Sequence, residues 1–265
     1  MGTKRYVMIG APVTRVRTPP LLKAMLANHG VEAEIETRHV EPGDLAVTVS
    51  GIEADTSVDG LLVTMPHKKA ILPTLEAVST TARLVGSVNA VKRAASGRFV
   101  GGQFDGVALV NALLAKGVPV ATARIFLLGL GGAGLAIAHA IAGHGCQALV
   151  IADQDGRLVD AALESLRRDV AARAPAAAGL GRTRFDLLIN ATPLGMRDGD
   201  PSPFAEDLAA RTPWIADIVA DPSRTSLAAL AGRAGATLIS GRDMVQEQIE
   251  PICRWLLGRN LEQGP

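Results

Sequence analysis

The second half of this chain alternates strand and helix patterns with a regularity that few folds produce. From Arg124 onward, short apolar strand patterns are separated by longer helical ones, which is typical of a parallel sheet covered by helices. The predicted strands cover 125–128, 148–152, 185–190, 214–218 and 237–239, and the predicted helices cover 132–144, 156–173 and 224–234. An alanine-rich stretch, 174–181, is predicted to be a loop. We therefore expect an open α/β domain in this half.

A glycine pattern lies between the first strand and the first helix of that domain. Gly129-x-Gly131-x-x-Gly134 is weak on its own in a chain with 28 glycines, but here it follows a strand and opens a helix. In that context the glycines allow a tight turn, a close approach to a pyrophosphate and close helix packing, and the helix N-terminus faces the negative charge. The pattern therefore predicts a dinucleotide-binding site.

One acidic residue bears on which dinucleotide is bound. Asp153 closes the second strand, about 20 residues after the glycines, where a carboxylate binds the ribose 2′-hydroxyl. Such a carboxylate accepts hydrogen bonds from a ribose diol and repels a 2′-phosphate. Arg157 lies close in sequence, yet no basic cluster fills the turn. We therefore predict that NAD is favoured over NADP.

The first half also mixes strands and helices, without the same regular alternation. Strands are predicted at 6–10, 31–38 and 60–65, a hairpin at 88–100, and helices at 19–26, 74–84 and 105–116. Gly117 and Pro119 follow the last of these helices and indicate a domain hinge nearby. We therefore predict an N-terminal α/β domain over 1–106, a Rossmann-like domain over 107–240, and a C-terminal helix within 241–265 that returns to the first domain.

Composition excludes several classes of protein. The chain has 27 basic and 26 acidic residues, without the basic excess of a nucleic-acid-binding surface. Its apolar runs are too short for a membrane span, which needs about 20 residues, and no signal peptide is apparent. Cys146 and Cys253 lack a CxxC spacing and are predicted to be buried thiols in a reducing compartment. We therefore expect a cytoplasmic protein without nucleic-acid or membrane partners. We also predict a small-molecule substrate and a monomer or homodimer.

The histidines predict neither a metal site nor a catalytic group. Four of them lack metal-ligand spacing with aspartate, glutamate or cysteine, namely His29, His39, His139 and His144. His67 has no visible partner in the sequence, and no Gly-x-Ser-x-Gly motif predicts an esterase nucleophile. We therefore predict no bound metal.

Two polar residues in the first half are candidates for proton transfer. Lys68 follows a strand end, on the edge where open α/β sheets bind ligands, and Asp105 begins a predicted helix. A lysine can exchange the proton of an alcohol while a hydride leaves its carbon. Alone, Lys68 is equally well explained as a solvated lysine and Asp105 as a helix N-cap. Beside a dinucleotide site, the two together predict redox chemistry.

Six short motifs, in chain order, resemble those of the shikimate/quinate dehydrogenase family. They are Val63–Lys68, Gly86–Asn89, Phe104–Gly106, Gly129–Gly134, Asn190–Gly195 and Gly241–Gln248. The resemblance extends over nearly the whole chain. It implies an α/β fold with an N-terminal substrate domain and a Rossmann-like NAD(P) domain. It also implies reversible hydride transfer between a nicotinamide and a ring alcohol of a shikimate- or quinate-like hydroxy acid.

The resemblance further implies roles for individual residues. Lys68 would act as general base in alcohol oxidation and as general acid in ketone reduction, with Asp105 positioning it. The substrate would contact Thr18, Thr64, Asn89 and Gln248. The cofactor would contact Gly129, Gly131, Gly132, Ala133, Gly134, Asp153, Asn190, Ala191, Thr192, Ile218 and Met244.

The chain departs from the family pattern mainly on the substrate side. Val16 and Thr18 replace two serines that hold the substrate carboxylate. Other replacements are Leu62 for an asparagine, Phe104 for a threonine, Ala220 for a tyrosine and Asp243 for a glycine. Each hydroxyl donor lost from a buried carboxylate site weakens binding of the carboxylate by about 1–3 kcal/mol. The guanidinium group of Arg15 or Arg17 could replace these donors with a bidentate contact. Where NADP-using members have Asn-Arg-Thr, this chain has Ala152-Asp-Gln154.

Three hypotheses about function follow. The first is an NAD-preferring dehydrogenase of shikimate, quinate or a related acid. The second is a dehydrogenase of the same fold with a less polar substrate, because Leu62 and Phe104 would make the pocket more apolar. The third is a non-catalytic sensor of a dinucleotide or a ring acid, although such a sensor has no need of the Lys68–Asp105 pair.

Overall fold

The computed structural model describes residues 2–13, 16–166, 170–174, 183–219 and 225–259. The chain divides into two compact units, and the first of them is discontinuous in sequence. The first unit contains residues 1–105 and 247–265, and the second contains residues 106–246.

The first unit is built on a six-stranded mixed sheet. Its strands are β1 (Lys4–Gly10), β2 (Ala33–His39), β3 (Gly60–Val63), β4 (Ala77–Val78), β5 (Ala90–Arg93) and β6 (Phe99–Gly102), in the order β2-β1-β3-β5-β6-β4. Strand β5 runs antiparallel to both of its neighbours, and the other pairings are parallel. The helices are α1 (Thr18–Asn28), α2 (Leu45–Ala54), α3 (His67–Ala70) and α4 (Thr80–Val85).

Both faces of this sheet are buried. Alternate residues of its central strands point to opposite sides, so each face contributes to its own apolar cluster. Val7 and Leu61 belong to one apolar cluster with helix α2, and Tyr6 and Leu62 belong to the other with helix α1. Two prolines, Pro19 and Pro20, occupy the first turn of α1, where a missing backbone N–H is tolerated.

The second unit contains a six-stranded sheet in which every pairing is parallel. Its strands are β7 (Arg124–Leu128), β8 (Ala148–Ala152), β9 (Ala171–Arg173), β10 (Leu187–Asn190), β11 (Trp214–Asp217) and β12 (Thr237–Ser240). Its helices are α5 (Asp105–Ala115, from Gly106 onward in this unit), α6 (Gly132–His144), α7 (Gly156–Ser165), α8 (Glu206–Ala209) and α9 (Ser226–Ala234). The strand order is β12-β11-β10-β7-β8-β9.

This order is that of the doubly wound dinucleotide-binding fold, in which the order reverses between the first and fourth strands. Here those strands are β7 and β10, and ligands bind such sheets outside the carboxyl ends of the strands at that point. The predicted Rossmann-like domain is confirmed.

The last helix, α10 (Gly241–Leu256), starts in the second unit and belongs to the first from Glu247 onward. Ile249, Ile252 and Cys253 lie at helical spacing on one side of it and pack into the apolar cluster that contains Tyr6 and Leu62. The predicted return of the C-terminal helix is therefore confirmed.

Two predicted helices differ from the structure. The predicted helix over 74–84 is a short 3-10 turn, strand β4 and helix α4, which begins after the N-cap Ser79. The predicted helix over 156–173 ends at Ser165, and residues 171–173 instead pair with β8 as strand β9. Helix α2 was not predicted. The predicted loop at 174–181 lies almost entirely outside the described residues.

The cysteines and the helices bear on two further expectations. Cys146 and Cys253 are both buried, as predicted. Burial raises the pKa of the Cys253 thiol to about 11. Among the described residues, no helix is both long enough and apolar enough to cross a membrane.

Candidate active site and dinucleotide loop

Lys68 and Asp105 meet in the first unit. The Nζ atom of Lys68 donates a hydrogen bond to Oδ2 of Asp105 at 2.7 Å. The aspartate side chain is 2% exposed and the lysine side chain is 18% exposed, so the lysine forms the accessible end of the pair. Lys68 lies on the short helix α3 after strand β3, and Asp105 is the first residue of α5. The structure therefore brings these two residues into contact, which the sequence only suggested.

Two amide side chains hold the other oxygen of the Asp105 carboxylate. Oδ1 accepts hydrogen bonds from Nδ2 of Asn89 at 3.0 Å and from Nε2 of Gln248 at 2.7 Å. Both amides are buried. Because every partner of the carboxylate is a donor, the arrangement suits an aspartate that only accepts hydrogen bonds. The carboxylate binds side chains here, so the simpler interpretation of Asp105 as an N-cap does not describe it.

A further buried pair, missed in the sequence, supports the same aspartate. The backbone N–H of Asp105 donates to Oε1 of Gln103 at 2.7 Å, and Nε2 of Gln103 donates to Oγ of Ser87 at 2.8 Å. Both residues are buried. A lone glutamine in a strand-to-helix turn carries no pattern of its own. Its position two residues before Asp105 was the only available signal.

Two of the predicted substrate residues, Thr18 and Thr64, lie at element ends in the first unit. Thr18 is a buried residue at the start of α1, and Thr64 follows strand β3 and is partly buried. A Cβ atom at Gly10 would overlap Cγ2 of Thr64, so the glycine lets the two segments pack closely. Arg17 is exposed, whereas the predictions about Arg15 and Ala220 lie outside the described residues.

The two apolar replacements, Leu62 and Phe104, lie in the core of the first unit. Leu62 is 1% exposed and Phe104 is 6% exposed, within one apolar cluster. The Phe104 ring packs against Trp255 with 5.8 Å between centroids, while its backbone N–H donates to Oδ1 of Asn89. The observed role of both side chains is core packing, which weakens the argument from them for a less polar substrate.

His67 is fully buried next to Lys68. Its Nε2 atom lies 2.7 Å from the carbonyl oxygen of Val40, which can only accept, so Nε2 donates. The histidine therefore anchors helix α3 to the segment that follows β2 and is not an exposed acid or base.

The glycine loop has the local geometry that a dinucleotide requires. Gly129 has a φ of +99°, and a Cβ there would lie 2.7 Å from the backbone of Ala191. A Cβ at Gly134 would overlap the carbonyl oxygen of Gly129, so α6 packs tightly on the turn. No described atom lies within 4 Å of a Cβ placed at Gly131, the N-cap of α6. The loop and the α6 N-terminus therefore fit a pyrophosphate.

Asp153 binds the backbone of this loop. Its Oδ2 atom accepts the N–H of Leu130 at 2.7 Å, and its Oδ1 atom accepts the N–H of Asp155 at 2.9 Å. The carboxylate thus connects the turn after β7 to the turn after β8. Asp153 directly follows strand β8, as the sequence indicated, but the partners of its two oxygens were not predicted.

The predicted cofactor residues Asn190 and Thr192 form a second turn, at the end of β10. Oδ1 of Asn190 accepts both the N–H and the Oγ1 hydroxyl of Thr192, and its Nδ2 donates to Oδ1 of the buried Asp217 at 3.0 Å. Asp217 also accepts a hydrogen bond from Thr225. Burial raises the pKa of Asp217, although hydrogen bonds from Thr225, Asn190 and Val219 oppose that rise.

The remaining predicted cofactor residues lie around the start of α10. Met244 is buried in the core of the second unit, and a Cβ at Gly241 would lie 2.8 Å from the carbonyl oxygen of Ile218. Asp243 and Ser240 form a capping box in which Ser240 N–H donates to Oδ2 of Asp243 and Asp243 N–H donates to Oγ of Ser240. Asp243 is also ion-paired with Lys116 at 3.1 Å. Asp243, which replaces the glycine of the family pattern, therefore caps the last helix.

Acidic, cysteine and histidine side chains form no group of three or more that could hold a metal ion in the described part of the chain.

Comparison with known proteins agrees with this arrangement. Residues 8–91 match the shikimate dehydrogenase substrate binding domain. The shikimate dehydrogenase (NADP(+)) of Moorella thermoacetica is 33% identical, over 93% of this chain and 85% of its own length. The shikimate dehydrogenase structure from Aquifex aeolicus has a TM-score of 0.86 at 26% identity, covering 97% of this chain and 93% of that one.

A structure of shikimate 5-dehydrogenase from Thermus thermophilus, in complex with NADP(H) and shikimate, has a TM-score of 0.82 at 27% identity, covering 97% of this chain and 94% of that one. These names overturn one prediction: the expectation that NAD is favoured is wrong. That expectation treated the Asp153 carboxylate as facing a ribose, whereas both of its oxygens accept backbone N–H groups. On the strength of these full-length similarities, the chain belongs to the shikimate dehydrogenase family.

Proposed function

We propose that this chain is an NADP(H)-dependent dehydrogenase that interconverts a ring alcohol and a ketone of shikimate or a closely related hydroxy acid. The observation that carries the proposal is the 2.7 Å bond between Nζ of Lys68 and Oδ2 of Asp105. Relatives across nearly the full chain are named shikimate dehydrogenase (NADP(+)), which supports both the reaction and the cofactor.

Lys68 is proposed as the proton-transfer residue. In alcohol oxidation its amine takes the hydroxyl proton, and in ketone reduction its ammonium returns a proton to the carbonyl oxygen. Asp105 holds the amine in place, and Asn89 and Gln248 hold Asp105. Because one carboxylate accepts from three side chains, the lysine has a fixed position relative to the reacting hydroxyl.

The substrate is proposed to bind the first unit. Thr18 and Thr64 offer hydroxyl groups, and Asn89 and Gln248 are amides next to the lysine. Hydroxyl and amide groups are suited to the several hydroxyls of a shikimate-like ring. The altered first loop, with Val16 and Thr18 in place of two serines, leaves fewer donors for the substrate carboxylate.

The cofactor is proposed to bind the second unit. The loop from Gly129 to Gly134 and the N-terminus of α6 would hold the pyrophosphate, and the turn from Asn190 to Thr192, with Ile218 and Met244, would hold the nicotinamide end. A nicotinamide bound there supplies or accepts the hydride. The turn residues would hold the nicotinamide in place, because the Asn190 amide fixes both the N–H and the hydroxyl of Thr192.

The test is a nicotinamide absorbance assay in which NADP+ and NAD+ are each combined with shikimate and quinate. Turnover of shikimate with NADP+ is the expected result. A thermal-shift titration with the same compounds serves as the companion measurement. Stabilisation by these ligands without turnover in any combination would contradict the proposal and favour a sensor.

A further inference from the structure

A three-residue segment, residues 87–89, contacts both Lys68 and Asp105. The backbone N–H of Val88 donates to the carbonyl oxygen of Lys68 at 2.8 Å. Next to it, Nδ2 of Asn89 donates to Oδ1 of Asp105 at 3.0 Å. The segment leads directly into β5, which lies between β3 and β6 in the first sheet. The positions of the lysine and the aspartate are therefore both tied to this one segment.

The backbone of Asp105 is held separately from its carboxylate. Asp105 is the first residue of α5, where a backbone N–H has no acceptor within the helix. Oε1 of Gln103 accepts this N–H at 2.7 Å. Because the aspartate side chain is short, the direction of its carboxylate depends on where its backbone lies. Gln103 therefore contributes to the position of the carboxylate without contacting it through that hydrogen bond.

Ser87 in turn fixes the side chain of Gln103. Nε2 of Gln103 donates to Oγ of Ser87 at 2.8 Å. The glutamine is 4% exposed and the serine is 0% exposed, so both groups are shielded from solvent. Without the serine oxygen, the amide would lose the partner that keeps its Oε1 atom directed at the N–H of Asp105. A second route therefore connects the 87–89 segment to Asp105, through the Gln103 side chain.

We propose that Gln103 and Ser87 are positioning residues that act as one unit and place the Asp105 carboxylate against the Lys68 amine. This inference rests on the proposed function, in which that amine transfers the proton. Gln103 acts through the backbone of Asp105, and Ser87 acts through Gln103. Loss of either would let the carboxylate shift, and a small misplacement of a catalytic group lowers kcat steeply.

The first test is a steady-state double-mutant cycle. Gln103→Met keeps the length of the side chain and removes both of its hydrogen bonds, so kcat for shikimate oxidation should fall about 10-fold. The KM for NADP+ should stay within about twofold of the wild-type value. Ser87→Ala should lower kcat about threefold, the scale of one neutral hydrogen bond. Because Ser87 acts through Gln103, adding Ser87→Ala to Gln103→Met should lower kcat no further.

The second test needs no turnover. Purified protein is labelled with a trace of acetic anhydride, and mass spectrometry compares acetylation of Lys68 with that of the exposed Lys69 beside it. An ammonium that is hydrogen-bonded to a carboxylate is protected, because only the free amine attacks the anhydride to form the amide and release acetate. The ratio of Lys68 to Lys69 labelling should rise about threefold or more in Gln103→Met. Asp105→Asn, which removes the carboxylate itself, is the positive control.

The matched control for lost stability is Val58→Ala. Val58 is buried in the first unit and precedes β3, whereas Lys68 follows the other end of that strand. This variant should be less stable to urea but should keep both kcat and the labelling ratio within about twofold of wild type. An equal change in both quantities in Val58→Ala and Gln103→Met would contradict the proposal. So would a further loss of kcat when Ser87→Ala is added to Gln103→Met.

The labelling ratio separates the inference from the proposed function. A higher ratio in Gln103→Met, in a protein that oxidises no hydroxy acid, would support the positioning role and overturn the proposed activity. NADP+-dependent shikimate oxidation with unchanged kcat and ratio in Gln103→Met would support the activity and overturn the positioning role. Ser87→Ala, which removes a single oxygen atom, keeps the test available if Gln103→Met does not fold: an unchanged kcat and ratio in that variant would also overturn the role.

Discussion

Asp105 in the first unit and Asp153 in the second are both aspartates that sequence position assigned to a ligand site, but their partners differ in kind. Asp105 accepts hydrogen bonds from the side chains of Lys68, Asn89 and Gln248. Asp153 accepts them from the backbone N–H groups of two turns. A carboxylate bound to side chains can position a reacting group, whereas one bound to backbone holds the shape of the chain.

The largest expected effect comes from removing the Lys68 amine, the proposed proton-transfer group. Lys68→Ala should lower kcat about 10³-fold or more, because proton transfer by a positioned side chain contributes about 10²–10⁴-fold. Binding of NADP+ should change little, since the proposed cofactor contacts lie in the second unit. The measurement is steady-state turnover together with calorimetric titration of the cofactor.

The matched control is Lys69→Ala, which removes an exposed lysine one residue along. It should retain nearly full turnover. Turnover in Lys68→Ala equal to that of this control would exclude Lys68 as the proton-transfer residue.

The next largest effect tests whether Asp105 positions Lys68. Asp105→Asn replaces an acceptor with an amide whose N–H₂ faces a donor, so Lys68 should lose its fixed position. We expect kcat to fall about 10²-fold, the scale associated with small misplacement of a catalytic group. Asp44→Asn, at an exposed position in the same unit, is the control. If only KM changes, Asp105 serves substrate binding and does not position the lysine.

The corresponding change in the second unit should act on stability. Asp153→Asn leaves one backbone N–H facing an amide N–H₂, and we expect the free energy of unfolding to fall by about 1–3 kcal/mol. Urea unfolding measures the change. Asp155→Asn is the control, because asparagine caps a helix as well as aspartate does. A stable Asp153→Asn protein with altered cofactor preference would mean that Asp153 contacts the ribose after all.

The smallest effect concerns a third aspartate, Asp217, whose pKa is raised mainly by burial. The stability that it contributes is complete below its ordinary pKa of 3.8 and is lost as pH rises through the higher folded-state pKa. The stability of the wild type relative to Asp217→Asn should therefore decline as pH rises from about 4. Urea unfolding at a series of pH values tests this decline.

Asp207→Asn, which removes an exposed carboxylate from the same unit, should show no such trend. A relative stability that rises with pH would mean that hydrogen bonds to Asp217 outweigh its burial.

Much of the fold was predictable because local pattern and tertiary packing agree in most elements. Helix α6 and strand β8 have the predicted bounds. The secondary-structure predictions fail where tertiary packing outweighs the intrinsic helix or strand propensity of the residues. The alanines of β9 favour a helix, but pairing with β8 places them in the sheet. Helix α2 contains Val, Thr and Gly residues that favour helices poorly, yet Leu45, Val49 and Ile52 bury one face.

In the candidate site, too, some residues could be predicted from the sequence and others could not. Lys68 and Asp105 could be predicted to act together from the family motifs, because their residue types and spacing are distinctive. The support from Gln103 and Ser87 could not, since single polar residues carry no periodic signal. The orientation of Asp153 depends on where the glycine loop places the N–H of Leu130, which is a three-dimensional property.

The discontinuity of the first unit has a consequence for how the protein forms. Its apolar cluster around Tyr6 and Leu62 includes Ile249 and Ile252, and Gln248 completes the partners of Asp105. The ribosome synthesises these residues only after the whole second unit. Until then the face of the first sheet that carries Tyr6 and Leu62 has helix α1 but lacks the C-terminal helix. The hydrogen bond from Gln248 to Asp105 can therefore form only after the second unit has been synthesised, although Lys68 and Asp105 are made early.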